Sequence, residues 1–431
     1  MTTQLLFQNR RPDRPATFEE YLQSGGYGAL SDTIQGLQPR EVVQVVLDSG
    51  LRGRGGAAFP TGRKWKGVPE KGRFPRYLVA NCDEMEPGTF KDRILVNTDP
   101  HMVIEGIILA GYSISAQKGI FFIRPSYEMD AALIERELEA ARSAGYLGQH
   151  ILGSEFSFDI AVHRSAGRYI SGEATAQVNA IMGNRAHPNK TAHMAQNGLW
   201  AQPTIIDNVE TLACVPHILK HGSQWFKGLA KCESGAGTKL YCVSGKVKNP
   251  GCFELPLGTR LSEIIDGNAG GMIPRSEYKA CLSGGASTRF MPKEFYDIEM
   301  DFDALKKVGH RLGTGAIIVF DRQACLVGAT LNLIQYFARE SCGLCTPCRE
   351  GLPYIRDLLW RIENGDGKEA FIPILRQMSG YMRHAYCALA VGAAAPLDGL
   401  LTYFEDEVYE HISQRKCPFS TAGARYDEAR G

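Results

Sequence analysis

Cys342, Cys345 and Cys348 stand at two-residue intervals in the stretch ESCGLCTPCREG. This spacing lets a short loop turn three thiolates toward one centre, as a cubane iron–sulfur cluster requires. Beyond the triplet, the only cysteines after residue 325 are Cys387 and Cys417. Cys387 opens a predicted helix, CALAVGAAA, behind the basic segment MRHAY, where helix amides and positive charge favour an anionic cluster. Cys417 sits near a tail that reads as loose after Pro418 and is the poorer fourth ligand. The expected centre is therefore a [4Fe–4S] cluster on Cys342, Cys345, Cys348 and Cys387. Zinc and a redox dithiol are its rivals, although zinc ribbons usually pair one CxxC with another. Cys214, Cys242, Cys252, Cys281 and Cys325 read instead as single small residues in apolar surroundings.

A second group of residues suits a nucleotide. In GLRGRGGAAFPTGRKW, Gly53, Gly55 and Ala58 nominally match a G-x-G-x-x-G/A pattern. A predicted helix precedes it and Pro60 follows, so it is not a Rossmann fingerprint. Glycines still admit backbone amides close to an anion, and residues 50–62 hold five of them. Eight basic residues between Arg52 and Arg76, against the single acid Glu70, complete a cradle for phosphates. In NCDEMEPGTFKDR, Asn81, Asp83, Glu84, Glu86 and Asp92 crowd the end of a predicted strand, where α/β proteins bind ligands; an acidic surface turn explains them equally well. Gly172 and Glu173 mark one predicted helix start, and Asn208 and Thr211 another; both suit a flavin phosphate or ribityl chain. His217 and His221 have metal-like spacing but no Glu between them, and read as a surface helix face.

The elements needed to position these groups are legible in the pattern. Strand YLVANC, helix HMVIEGIILAGYSISAQ, strand GIFFIRP, helix YEMDAALIERELEAARSAG and strand FSFDIAVHR alternate, which implies a mostly parallel sheet. From about residue 237 short strands and turns indicate a small α+β module, and from about 328 four helical stretches form a bundle. The domain reading is 1–236, 237–327 and 328–431. With 431 residues, 22% charged and a net charge of +1, nothing draws the chain to nucleic acid. No secretory signal or membrane span is expected, and the cysteine usage points to a reducing compartment.

In this order, GLRGRGGAAFPTGRKW, NCDEMEPGTFKDR, GRYISGEATA, DNVETL and ESCGLCTPCREG resemble the flavin-bearing, NADH-oxidising subunit of respiratory complex I, a family that also supplies diaphorase subunits of hydrogenases and formate dehydrogenases. The resemblance implies an α/β protein with a Rossmann-like FMN domain, a β-grasp module and a C-terminal helical bundle carrying the cluster. It implies hydride transfer from NADH to FMN and onward transfer of single electrons to the [4Fe–4S] cluster. Gly53, Arg54, Gly55, Gly56, Gly62 and Lys64 would hold nucleotide and flavin, and Phe59 would stack on adenine. Asn81, Asp83 and Glu84 would face FMN, with Glu86 near the nicotinamide; Tyr169, Gly172, Glu173, Asp207, Asn208 and Thr211 would complete the pocket. The implied partners are a thioredoxin-like [2Fe–2S] subunit and a large multi-cluster iron–sulfur subunit, in the peripheral arm of a membrane complex on the cytoplasmic side of the inner membrane. No N-terminal thioredoxin-like or C-terminal ferredoxin domain is expected, which favours the complex I type.

Several positions depart from the family. Ala174 stands where a second carboxylate is usual, which weakens contacts to the NADH ribose and removes repulsion toward the phosphate of NADPH. The segment KTAHMA, 190–195, lacks an aromatic that could stack on adenine, and so does Gly67. Asp207 replaces an Asn and would repel a phosphate; Ala58 replaces a Gly and is strained if its φ is positive. Two alternatives follow: a flavin enzyme favouring NADPH, supported also by Arg73 and Arg76, or a non-catalytic, cluster-bearing relay.

Overall fold

In the computed structural model, which describes residues 4–190 and 193–419, two sheets and a helical bundle share one molecule. The first sheet has four parallel strands, β1 (Tyr77–Cys82), β2 (Lys118–Ile123), β3 (Asp159–Arg164) and β4 (Thr204–Asn208), in the order β3-β2-β1-β4. Leu78, Val79 and Ala80 are buried because helices cover both faces of β1, the usual reason a parallel strand is continuously apolar. The chain runs from β1 outward to β3 and then returns to place β4 on the other side of β1. That reversal opens a crevice at the C-terminal ends of β1 and β4, where α/β sheets bind ligands. Asn81 and Asn208 lie opposite each other there.

Helix Pro100–Ser113 begins with the Asp99 side chain accepting from Met102 N–H and with proline in its first turn. Gly106 lets it touch the return segment after β4, since a Cβ there would come within 2.1 Å of the Leu212 carbonyl oxygen. The second sheet contains β5 (Thr238–Gly245), β6 (Gly251–Pro256), β7 (Tyr278–Leu282), β8 (Phe290–Pro292) and β9 (Ala316–Asp321), in the order β6-β5-β9-β7-β8. Its central β5–β9 pair is parallel and its other pairs antiparallel, a β-grasp arrangement. Backbone amides of Leu5, Leu6 and Phe7 donate to the buried Glu254 carboxylate on β6 and pin the N-terminal segment to this sheet.

The bundle comprises Leu326–Glu340, Thr346–Glu363, Phe371–Tyr381, Ala388–Tyr403 and Glu405–Gln414. Leu331, Ile334, Leu352, Ile355 and Leu359 are fully buried at helical spacing and form its seam. The last of the four helical stretches, DGLLTYFEDEVYEHISQ, is two helices, because the backbone breaks at Phe404 (φ −137°, ψ 30°). Strand β4, unforeseen because five residues run straight into the helix Val209–Ala213, completes the first sheet. His217 is buried rather than on a surface face, and burial, ahead of His221 and Lys220, lowers it to about 4. Thr191 and Ala192 of KTAHMA, and the tail from 420, lie outside the described residues.

Candidate flavin and cluster sites

All four cysteines expected to hold the cluster line one cavity: Cys342, Cys345, Cys348 and Cys387, walled by Ile170, Leu389 and Ala390. Cys345 precedes the helix Thr346–Glu363, Cys348 lies in its first turn, and Cys387 caps the helix Ala388–Tyr403. Tyr386 N–H points to Cys345 Sγ at 3.5 Å, and Cys348 Sγ lies 3.1 Å from Ser341 Oγ. Burial, ahead of the neighbouring groups, pushes the Cys348 and Cys387 thiols up to about 11, so iron coordination must supply the drive to deprotonate them. Four convergent sulfurs in an apolar pocket fit a cubane cluster.

The crevice at the strand ends collects the acidic motif. Asp83 accepts from Ser165 Oγ at 2.9 Å, while its Oδ2 is buried with no partner. Burial raises Asp83 to about 6. Glu84 accepts from Asp92 N–H at 2.9 Å, Arg93 N–H at 3.3 Å and Tyr127 OH at 3.2 Å; burial, with the Asp92 charge, pushes it up to about 7. Asn81 Oδ1 takes Asp83 N–H at 3.0 Å. An orphaned buried carboxylate oxygen at a switch-point crevice fits a ligand rich in hydroxyls and N–H groups, as FMN is.

Glu86 joins all three parts of the molecule. Its carboxylate accepts from Tyr169 OH at 2.6 Å and from Ser287 N–H, in the β7–β8 loop, at 2.6 Å. Tyr336 OH of the bundle donates to the neighbouring Met85 carbonyl at 2.6 Å. Burial raises the Glu86 carboxyl above its usual range despite these donors. Gly285 makes the approach possible: its φ is +98°, and a Cβ there would stand 2.6 Å from Glu86 Cγ. Sequence reasoning does not reach Ser287, Tyr336 or Gly285; the glycine pair in CLSGGAS is the one available signal. Nor does it reach Glu340, although the Glu340 carboxylate accepts Tyr169 N–H at 2.8 Å.

Other expected residues have more local duties. Glu173 caps the helix Ala174–Ile181 through one oxygen, which accepts from Thr175 N–H at 3.0 Å and Ala176 N–H at 2.8 Å. Gly172 beside it faces open space. Lys64 bonds Asp207 at 2.6 Å and Trp65 Nε1 donates to the other Asp207 oxygen at 2.7 Å, so the carboxylate expected to repel phosphate has its charge matched. Asn208 caps the helix Val209–Ala213, and Gly55 lies against it, with a Cβ only 3.1 Å away. Thr211 Oγ1 accepts Arg54 N–H at 2.8 Å, while the Arg54 side chain is fully buried and reaches the Ala236 carbonyl. Gly62 serves packing, since a Cβ would lie 2.4 Å from Leu47 N; Gly53 lies beside the Phe59 backbone and Gly56 adopts φ +120°. Phe59 is half exposed and free to stack, and Ala58 does adopt a positive φ, +55°. Arg76 is buried on the Ile114 carbonyl and Arg73 holds the Gln196 carbonyl, which leaves Arg76 unavailable to an NADPH phosphate.

The chain is similar to known proteins along most of its length. The Nuo51 FMN-binding domain matches residues 46–217, the SLBB domain 240–290, and the NADH-ubiquinone oxidoreductase-F iron-sulfur binding region 328–411. An NADH-quinone oxidoreductase F subunit of Rhizobium meliloti (strain 1021) is 45% identical over 401 residues, 93% of this chain and 95% of that protein. The corresponding F subunit of Escherichia coli (strain K12) is 42% identical over 423 residues, 97% of this chain and 94% of the relative. Among solved structures, an NAD+-reducing [NiFe]-hydrogenase in the H2-reduced state superposes with a TM-score of 0.81 at 30% identity, covering 94% of this chain and 67% of that one.

Proposed function

The chain belongs to the family of NADH-quinone oxidoreductase F subunits, and from that premise we propose how its own residues carry out the reaction. It is the NADH-oxidising flavoprotein of a complex I-type enzyme, binding FMN and a [4Fe–4S] cluster and feeding electrons into a multi-subunit assembly. When bound, FMN accepts hydride from the nicotinamide and the cluster takes electrons singly, chemistry that belongs to the cofactors.

The residues supply binding and orientation. Asp83, Glu84 and Asn81 line the flavin crevice, with Asn208 and the Gly55 backbone packed on it beside them. Glu86, held by Tyr169 and Ser287, orients the nicotinamide against the flavin. Glu173 keeps one carboxylate oxygen outside its capping bonds for the dinucleotide, and Phe59 offers a face to adenine. Cys342, Cys345, Cys348 and Cys387 hold the cluster. The observation that carries this arrangement is the join at residues 169 and 170: Tyr169 fixes Glu86, and Ile170, the next residue, lines the cysteine cavity. Consecutive residues of one short helical turn thus serve the donor site and the cluster cavity.

Among the described residues no helix is long and apolar enough to cross a membrane. The partners this reading calls for are a thioredoxin-like [2Fe–2S] subunit and a large multi-cluster iron–sulfur subunit, on the cytoplasmic side of the inner membrane. Anaerobic absorption titration of the purified protein tests the donor site. NADH should bleach the flavin and then the cluster at lower concentration than NADPH does. Flavin that stays oxidised with both nucleotides refutes the assignment.

A further inference from the structure

Cys325, read from the sequence as a lone buried thiol, has company. It caps the helix Leu326–Glu340 directly after β9, and its sulfur lies 3.3 Å from His411 Nε2 and 3.4 Å from Glu363 Oε2. His411 Nε2 and Glu363 Oε2 are 3.2 Å apart. Cys417, expected in a loose tail, is buried and hydrogen-bonds both Glu363 and Cys325. One ligand atom from each of the four residues lies within 4.8 Å of every other. None of the four lines the cavity of the cluster cysteines.

We propose that Cys325, Glu363, His411 and Cys417 form a second metal centre, a tetrahedral structural site for a zinc ion. Zinc with arms of about 2.3 Å to sulfur and about 2.0 Å to nitrogen or oxygen has ligand-to-ligand edges of about 3.3–3.8 Å. The three separations given above are already of that size. The histidine is prepared for the role. Its Nδ1–H donates to the Glu407 carbonyl at 2.6 Å, so the lone pair of Nε2 points at the cluster of ligands. His411 is wholly buried, which keeps water from competing for the fourth position. Gly328 N–H donates to Cys325 Sγ at 3.1 Å and supports a thiolate there. Binding releases one proton from each cysteine and leaves two thiolates, one carboxylate and one neutral imidazole on the ion, a donor set zinc accepts. The ion would join the exit of the β-grasp sheet to the ends of two bundle helices.

The test uses the full-length protein carrying flavin and cluster, grown in zinc-replete medium. Metal analysis should find one zinc beside four irons per chain, and the zinc X-ray absorption edge should fit two sulfurs and two lighter ligands. In the Cys325→Ser/Cys417→Ser double variant, zinc should fall below about a tenth of an equivalent while iron stays unchanged. His411→Gln, less disruptive to packing, should also lose zinc and keep its iron. Full iron with no zinc in the unaltered protein overturns the proposal. So does zinc retained by the double variant, or a Cys325–Cys417 disulfide found by intact mass. If the double variant does not fold, the stoichiometry and edge spectrum of the unaltered protein decide alone.

Discussion

Glu86 is a buried carboxylate that accepts two short hydrogen bonds, from Tyr169 and from Ser287 N–H. Glu86→Gln would keep the Ser287 N–H bond on its amide oxygen but turn Tyr169 Oη into an acceptor and lose the charge on both bonds, at about 1–3 kcal/mol. FMN content should persist, while flavin bleaching by NADH in stopped flow slows by about tenfold or more. Ala174, the first residue of its helix, invites the opposite change. Ala174→Glu restores a carboxylate for ribose hydroxyls, and steady-state assays should show KM for NADH falling by about tenfold and NADPH oxidation weakening. Glu84 carries a pH signature. Its folded value of about 7 lies above the ordinary 4.5, so the folded state holds the proton more tightly. Stability is therefore highest below pH 4.5 as far as this group goes, and declines as pH rises toward 7, by about 3 kcal/mol in total. Glu84→Gln should flatten that slope in urea midpoints of the flavin-free protein measured from pH 5 to 8.

Helix starts and strand ends do the positioning, and one buried charge network fastens them together. Glu210, in the short helix after β4, meets Lys91 at 3.0 Å and Lys239 of β5 at 2.8 Å, all of them buried. Burial alone would raise Glu210, but Lys239, Lys91 and Arg54 outweigh it and hold the carboxyl at about 2. Glu210→Gln leaves Lys239 without its carboxylate, while Lys91 keeps Asp92, and should cost about 3–5 kcal/mol, seen as a lower urea midpoint. Elements of this kind are legible where local chemistry alone sets them. Cys387 can be placed at a helix start because an alanine-rich run follows it, and the strand-helix alternation implies the parallel sheet. Strand β4 is not legible, since TIIDN is short and passes straight into a helix. The break at Phe404 is hidden for a different reason: the apolar spacing continues through it.

Across the whole molecule, the contacts that finish the site join residues far apart in sequence. Ser287 reaches Glu86 over 201 positions and Tyr336 reaches Met85 over 251, and no local pattern encodes such a meeting. The same holds for Cys325 and His411, 86 positions apart, which the sequence shows only as a lone thiol and a helix residue. Gly285→Ala probes this long-range assembly. The added methyl would collide with Glu86 at a backbone angle that side chains rarely adopt. FMN occupancy and NADH oxidation should fall together, while iron content is retained.

The triple hold on the Met85–Glu86 segment bears on how the protein matures. Flavin domain, β-grasp and bundle each contribute one fastening there: Tyr169, Ser287 and Tyr336. A nascent chain with one module undocked has an incomplete donor site, so nucleotide oxidation, rather than flavin retention, requires that the three parts have met. Donor oxidation then reports that all three modules have docked.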